Sequence, residues 1–322
     1  MNDAMRATVL DFDTLSSGDI DTSPLDRAAP GIVYHPATPP ALLMERLAGQ
    51  QIVVINKVRL DAATIADCPD LGLIALAATG TDNVDLEAAR EGGVAVTNIR
   101  AYCTASVVQH VFALILGLTQ QLKAYEAELK AGAWRESPQF CMLGHPIREL
   151  DGKCLGIVGH GELGAAVATA ARAFGMEVLV ARRVGETDDR PGRLALEEVL
   201  EKADVVSLHC PLTAATANLV GAHELDLMKD DALLINTARG GLVDSLALVA
   251  ALREGRIGGA GIDVLRREPP VDGDPLLEVD LDNLIVTPHV AWAAREARQR
   301  AVEQIALCIR SFIAGERYGR VI

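Results

Sequence analysis

Cys154-Leu-Gly-Ile-Val-Gly159-His-Gly161-Glu-Leu-Gly164 runs from an apolar, strand-like segment into the alanine-rich stretch Ala165–Gly175. A strand, a glycine-spaced turn and a helix in that order read as a dinucleotide-binding turn. Gly159 lets the chain turn sharply, Gly161 lets backbone N–H groups approach a pyrophosphate, and Gly164 lets the helix pack close to the strand. His160, Glu162 and Leu163 fill the turn and open the helix, whose N-terminus presents its positive dipole end to the phosphates. The next strand, Glu177-Val-Leu-Val-Ala181, ends in Arg182-Arg183, where an acidic residue would otherwise hold the ribose hydroxyls. A 2′-phosphate would be repelled by a carboxylate there and held by a guanidinium, so the pair points to NADP as the preferred cofactor, with NAD as the alternative. The other reading of Arg182 and Arg183 is a solvated pair at a strand end.

Outward from this turn, short apolar runs alternate with helical patterns: Ala7–Leu10, Gly31–Tyr34, Gln51–Ile55, Leu73–Ala77 and Val94–Val96 before it, and Val178–Ala181, Val205–His209, Leu233–Asn236, Gly259–Asp263 and Leu284–Thr287 after it. This is βαβ grammar and predicts parallel sheets. A helix from about Thr104 through Leu118 is apolar almost all round and should be buried between layers. Residues 293–322 form one amphipathic helix and a tail, too little for an independent core. The fold expected is therefore α/β, with two doubly wound, Rossmann-like parallel-sheet domains, the cofactor domain (100–289) inserted into a substrate domain (1–99 plus 290–322).

The 322 residues are half apolar, enough for two cores, and the net charge of −14 opposes nucleic-acid or anionic-membrane binding. Six cysteines show no C-x-x-C pair and read as reduced residues; no zinc-type spacing is present, so no metal is expected. The N-terminus breaks into charge too soon for a signal peptide, and no segment approaches a membrane span, so a cytoplasmic protein is expected.

Three polar residues each follow a predicted strand: Arg239 in Asn236-Thr-Ala-Arg-Gly-Gly241, Glu268 in Asp263-Val-Leu-Arg-Arg-Glu-Pro269, and His289 in Thr287-Pro-His289. The carboxyl ends of parallel strands face the ligand crevice of an open α/β sheet. As a set they match the reduction of a 2-keto acid. Arg239 would bind the substrate carboxylate and carbonyl through its planar fork, His289 would donate the proton to the carbonyl oxygen, and Glu268 would hold the other ring nitrogen and favour imidazolium.

The chain resembles the D-isomer-specific 2-hydroxyacid dehydrogenases, and among them the glycerate dehydrogenase (hydroxypyruvate reductase) branch. The resemblance is carried by Asn56-Lys-Val, Ala78-Thr-Gly-Thr-Asp-Asn83, Ser106-Val-Val-Gln-His-Val-Phe-Ala113, the glycine turn, Leu208-His-Cys-Pro-Leu-Thr213, Ile235-Asn-Thr-Ala-Arg-Gly-Gly-Leu-Val-Asp244, Asp263-Val, Glu268-Pro and Val286-Thr-Pro-His-Val-Ala-Trp292. It implies that backbone N–H groups around Thr79-Gly80 and the Asn56-Lys57-Val58 loop grip the substrate carboxylate. It places Thr237, Ala238 and Asp263 along the nicotinamide, Asp263 near the carboxamide, and His209-Cys210-Pro211 beside the adenosine. Val107 either touches the nicotinamide or packs as a core valine. The family's hinged domain closure and homodimer carry over, with contact through the 120–150 region and its irregular, apolar-rich arm Gly132–Leu150. Hydroxypyruvate and glyoxylate are the leading substrates; the lysine that phosphite oxidation uses near Leu76–Gly80 is missing, and formate oxidation does not call for Glu268. A dinucleotide-sensing corepressor on the same fold is the reading from a different class.

Overall fold

The computed structural model describes residues 5–184 and 190–322, so Met1-Asn-Asp-Ala4, the opening of the stretch read against a signal peptide, lies outside the described residues. The chain divides into two compact units, Met1–Cys103 with Trp292–Ile322, and Thr104–Ala291.

In the first unit the apolar runs become β1 (Ala7–Val9), β2 (Val33–Tyr34), β3 (Ile52–Ile55), β4 (Leu73–Leu76) and β5 (Ala95–Thr97), ordered β2-β1-β3-β4-β5 with every pairing parallel. Alternate residues of a strand point to opposite faces, so a sheet covered on both faces needs an unbroken apolar run. Ile52 and Val54 enter one core, shared with Ala297, Ala301 and Ile305 of the Arg295–Ile313 helix, whereas Val53 and Ile55 enter the other, shared with Leu47 and Ile65. The C-terminal segment thus completes a core whose strands come from the opposite end of the chain.

In the second unit β6 (Cys154–Val158), β7 (Glu177–Ala181), β8 (Arg193–Leu194), β9 (Val205–Leu208), β10 (Leu233–Asn236), β11 (Gly259–Ile262) and β12 (Leu284–Val286) form a seven-stranded sheet ordered β12-β11-β10-β9-β6-β7-β8, again all parallel. The chain leaves β6 towards β8 and returns on the other side at β9, which makes the β6–β9 boundary the switch point where a doubly wound sheet opens its crevice. The two-residue β8 has too short a pattern to read from sequence.

The helix predicted from Thr104 spans Thr104–Thr119, and eight of its residues are buried. It is not enclosed all round: Ala105, Gln109 and Ala113, spaced four apart on one side, are exposed. Small and polar side chains on that stripe give a neighbouring layer little apolar surface to cover. After it, the Leu122–Lys130 and Ala133–Glu136 helices lead into the irregular arm. There the Tyr125 hydroxyl sits 3.2 and 3.1 Å from the carbonyl oxygens of Met142 and His145, and the Trp134 indole donates to the Phe140 carbonyl at 3.1 Å. Among the described residues no single helix is long and apolar enough to cross a membrane.

Candidate active site

The glycine turn has the geometry its spacing requires. Gly159 has φ +95°, and a Cβ there would lie 2.5 Å from the Cys210 nitrogen; a Cβ on Gly164 would lie 2.1 Å from the Gly159 oxygen. Only hydrogen fits at either place. Gly161, by contrast, has nothing within 4 Å of its would-be Cβ and stands open at the start of the Glu162–Ala173 helix. The turn forms one wall of a cleft of about 620 Å³, whose other walls include His160, Arg182, Arg183 and His209-Cys210-Pro211. Arg190 and Arg193 line it too. Neither was expected there, although both are basic residues within about a dozen positions of the end of β7.

The cleft's titratable groups are tuned by their surroundings. His209 lies 2.9 Å through Nε2 from the Ser207 hydroxyl, and although its edge reaches the cleft, burial pushes its pKa down to about 4, so it is neutral near pH 7. Burial also lowers His160, with nearby Arg193 acting in the same direction, and pushes the Cys210 thiol up. The Glu162 carboxylate accepts the Thr104 hydroxyl, so its side chain is engaged with the chain itself, while Leu163 is half-buried beside it. Val107 is buried on the Thr104–Thr119 helix.

Arg239 sits just beyond β10 in a turn that Asn236 ties: the Asn236 side chain accepts from the Ala238 nitrogen at 3.0 Å and donates to the Arg239 carbonyl at 2.9 Å. The Arg239 guanidinium donates to the Ala238 carbonyl at 2.8 Å. Gly240 follows because its backbone presses on the loop after β11, where a Cβ would lie 2.0 Å from the Leu265 carbonyl carbon. That contact seats the Arg239 turn against the loop carrying Glu268. In the same turn, Thr237 Oγ1 is buried with no hydrogen-bond partner among the described residues.

Glu268 and His289 are brought together. Glu268 Oε1 accepts from the Leu265 nitrogen at 2.8 Å, and Oε2 lies 2.5 Å from His289 Nδ1. One carboxylate oxygen anchors the side chain to its own loop and the other orients the imidazole, with about a quarter of the histidine side chain exposed. Both residues border a second cleft of about 350 Å³, walled by Pro269, Leu277 and Val286.

Asp263 lies behind His289. Its carboxylate is fully buried and takes donors from its own chain: Thr287 Oγ1 at 2.5 Å and the Val290 nitrogen at 2.9 Å on Oδ1, and the Ala291 nitrogen at 2.9 Å on Oδ2. Burial alone would raise its pKa, but hydrogen bonds from His110, Thr287, Ala291 and Val290 outweigh this and hold the carboxyl below its ordinary value. These bonds make Asp263 a brace of the turn bearing His289, and the residue also lines the cleft that Glu268 and His289 border.

In the first unit the 56–58 loop is held from within. The N–H groups of Asn56, Lys57 and Val58 donate to a carboxylate inside the chain: Asp11 accepts from Asn56 at 2.9 and 3.1 Å, from Lys57 at 2.5 Å and from Val58 at 3.1 Å. On the other side of the loop, the Asn83 amide donates to the Val58 carbonyl at 2.8 Å and to the Asn56 carbonyl at 3.3 Å. Both backbone edges are clamped, which leaves the Lys57 side chain, exposed, as the loop's outward group. Thr79 and Gly80 lie just past β4, with the Thr79 carbonyl held by the Asn98 amide at 2.7 Å and its hydroxyl on the Ile99 carbonyl at 2.8 Å.

Residues 112–291 match the family model for the D-isomer specific 2-hydroxyacid dehydrogenase, NAD binding domain. The chain is 47% identical over 283 residues to a glycerate dehydrogenase of Methylorubrum extorquens, covering 88% of this chain and 89% of the relative. It is 34% identical to a hydroxypyruvate reductase of Blautia hydrogenotrophica, covering 97% of this chain and 98% of the relative. Among solved structures, the TT0316 protein of Thermus thermophilus superposes with a TM-score of 0.87 at 36% identity, covering 99% of this chain and 100% of that one. With the family model spanning more than half its length and a relative identical at 47% of 283 aligned residues, the chain belongs to the D-isomer-specific 2-hydroxyacid dehydrogenases, oxidoreductases that work with a nicotinamide dinucleotide.

Proposed function

We propose that this enzyme reduces hydroxypyruvate or glyoxylate to the D-2-hydroxy acid, with NADPH preferred over NADH. The observation that carries the reading is the 2.5 Å contact between His289 Nδ1 and Glu268 Oε2, with Glu268 itself anchored at Leu265. Nδ1 is taken, so Nε2 is the ring position that delivers a proton to a carbonyl oxygen. Arg239 binds the keto acid's carboxylate through its planar guanidinium, and Glu268 holds the imidazole in the orientation that turns Nε2 towards the carbonyl.

The residues fit a dinucleotide. Gly161 opens a cradle at a helix N-terminus that suits a pyrophosphate, and the buried Thr237 hydroxyl has a bond left to make. Arg182 and Arg183, with Arg190 and Arg193 on the same cleft, supply positive charge for a 2′-phosphate. The bound nicotinamide supplies the hydride for reduction and accepts it for oxidation. Residues 104–291 would then form the cofactor domain and the remainder the substrate domain, with Lys57, Thr79 and Gly80 on its substrate-facing loops. A second copy of the chain would cover the arm, where Phe140 is 91% and Leu143 81% exposed. All six cysteines are free thiols, which suits a reducing cytoplasm.

The test is oxidation of NADPH and NADH in parallel with hydroxypyruvate, glyoxylate and pyruvate. Turnover of the first two acids with higher kcat/KM for NADPH supports the reading; preference for NADH removes the arginine argument alone, and no turnover with any pair removes the assignment.

A further inference from the structure

We propose that His110 is a positioning residue for the proton-donating histidine, holding the 287–291 turn through Thr287 and Asp263. The inference rests on the reading of His289 as proton donor.

His289 has φ +56°, a left-handed conformation that a side chain bearing Cβ adopts only against steric opposition from its own backbone. Such a residue stays in place only where its surroundings over-determine it. Asp263 does part of this: its carbonyl accepts the His289 nitrogen at 2.8 Å, and its carboxylate takes Thr287, Val290 and Ala291. The Thr104–Thr119 helix does the rest. Ser106 Oγ donates to the Ala291 carbonyl at 2.7 Å, and His110 Nε2 lies 2.9 Å from Thr287 Oγ1. Residues 106 and 110, four apart, share one face of the helix, so the two grip the turn at both ends.

The direction of the His110 contact follows from counting hydrogens. Thr287 has one hydroxyl hydrogen, and it goes to Asp263 Oδ1, which as a carboxylate has none to give. His110 Nε2 must therefore carry the hydrogen and donate it to the Thr287 oxygen, with Asp263 Oδ1 3.4 Å away as a second acceptor. A chain His110→Thr287→Asp263 runs from the helix to the carboxylate that holds the turn.

The test is steady-state kinetics of the full-length enzyme with hydroxypyruvate and NADPH. His110→Leu keeps bulk but loses the donor, and kcat should fall about tenfold, the loss of one hydrogen bond's worth of positioning, while the KM for keto acid and the Kd for NADPH stay within about twofold. His110→Gln, whose amide N–H reaches to about the same place, should recover most of the rate. The solvent deuterium isotope effect on kcat should rise in His110→Leu, because proton delivery becomes the slower step. Should His110→Leu fail to fold, Ser106→Ala and Thr287→Val test the same grip and should lower kcat in the same selective way. An undiminished kcat in these variants, or a loss in His110→Leu that glutamine does not repair, overturns the inference. His289→Ala in the same assay separates the two claims: if it keeps the normal rate, the reading of His289 fails, whereas a slow His289→Ala beside a full-rate His110→Leu removes His110 alone.

Discussion

Replacing Asp11 with Asn should destabilise the first unit and loosen the 56–58 loop. Asp11 is 4% exposed and its two oxygens accept from three consecutive backbone nitrogens. An asparagine of the same shape offers one oxygen, which can accept two of the three, and turns an N–H towards the third. Hydrogen bonds to a charged acceptor are worth about 1.5–3 kcal/mol against about 0.5–1.5 for neutral ones, and a buried donor left unmade costs about 1–3 kcal/mol. Two weakened bonds at about 1 kcal/mol each and one orphaned N–H give about 3–5 kcal/mol, large beside the whole stability of a domain. The chain carries two tryptophans, Trp134 in the second unit and Trp292 in the first, so urea unfolding followed by Trp292 fluorescence in a Trp134→Phe background reports the affected unit. The same variant should raise the KM for keto acid, because Lys57 rides on the loop, and leave the NADPH Kd near its original value. A stability change under about 0.5 kcal/mol, the level of an ordinary surface substitution, would refute the clamp.

Arg182→Asp should cut the NADPH-to-NADH ratio of kcat/KM by tenfold or more, since a charge-assisted bond of about 1.5–3 kcal/mol becomes a repulsion; an unchanged ratio returns the arginine pair to a solvated strand end. Arg239→Lys should raise the KM for keto acid by about tenfold with cofactor binding intact, because an ammonium has no fork to match a carboxylate, and a parallel loss of cofactor affinity would contradict that role. Acid stability carries the signature of His209. Its native pKa of about 4 lies below the value near 6.5 of an unfolded chain, so below about pH 6.5 the unfolded state binds the extra proton. Its share of stability is present above that pH and is lost as pH falls towards 4; His209→Gln should flatten the melting temperature across this window, and an unaltered slope would count against the buried, neutral ring.

The alternation of apolar runs made both sheets legible, because parallel strands covered on two faces must be apolar throughout, as Ile52–Ile55 is. The glycine turn was legible because two of its three glycines answer a local steric demand: Gly159 its φ of +95°, Gly164 the approach of the Gly159 oxygen. What escaped lies in contacts between residues far apart in sequence. Asp11 meets Asn56–Val58 forty-five or more residues away, and His110 meets Thr287 across 177. In sequence Asp11 is one acidic residue after a strand and His110 one polar residue on an apolar helix, with nothing local to mark either. Asp263 was singled out, but its partners at 287, 290 and 291 belong to another strand end, so its task as a brace became visible only once β11 and β12 were adjacent. The exposed stripe Ala105, Gln109 and Ala113 shows the limit of hydropathy: alanine is apolar enough to read as core, yet too small to demand cover.

Proton donation by His289 is tested by the rate of NADPH consumption with hydroxypyruvate by the unmodified enzyme and by His289→Ala at equal concentration. Turnover is expected in the first and a rate roughly 10²–10⁴ lower in the second, the usual contribution of a positioned general acid. Equal rates in the two proteins, or no turnover in the unmodified one, would contradict it.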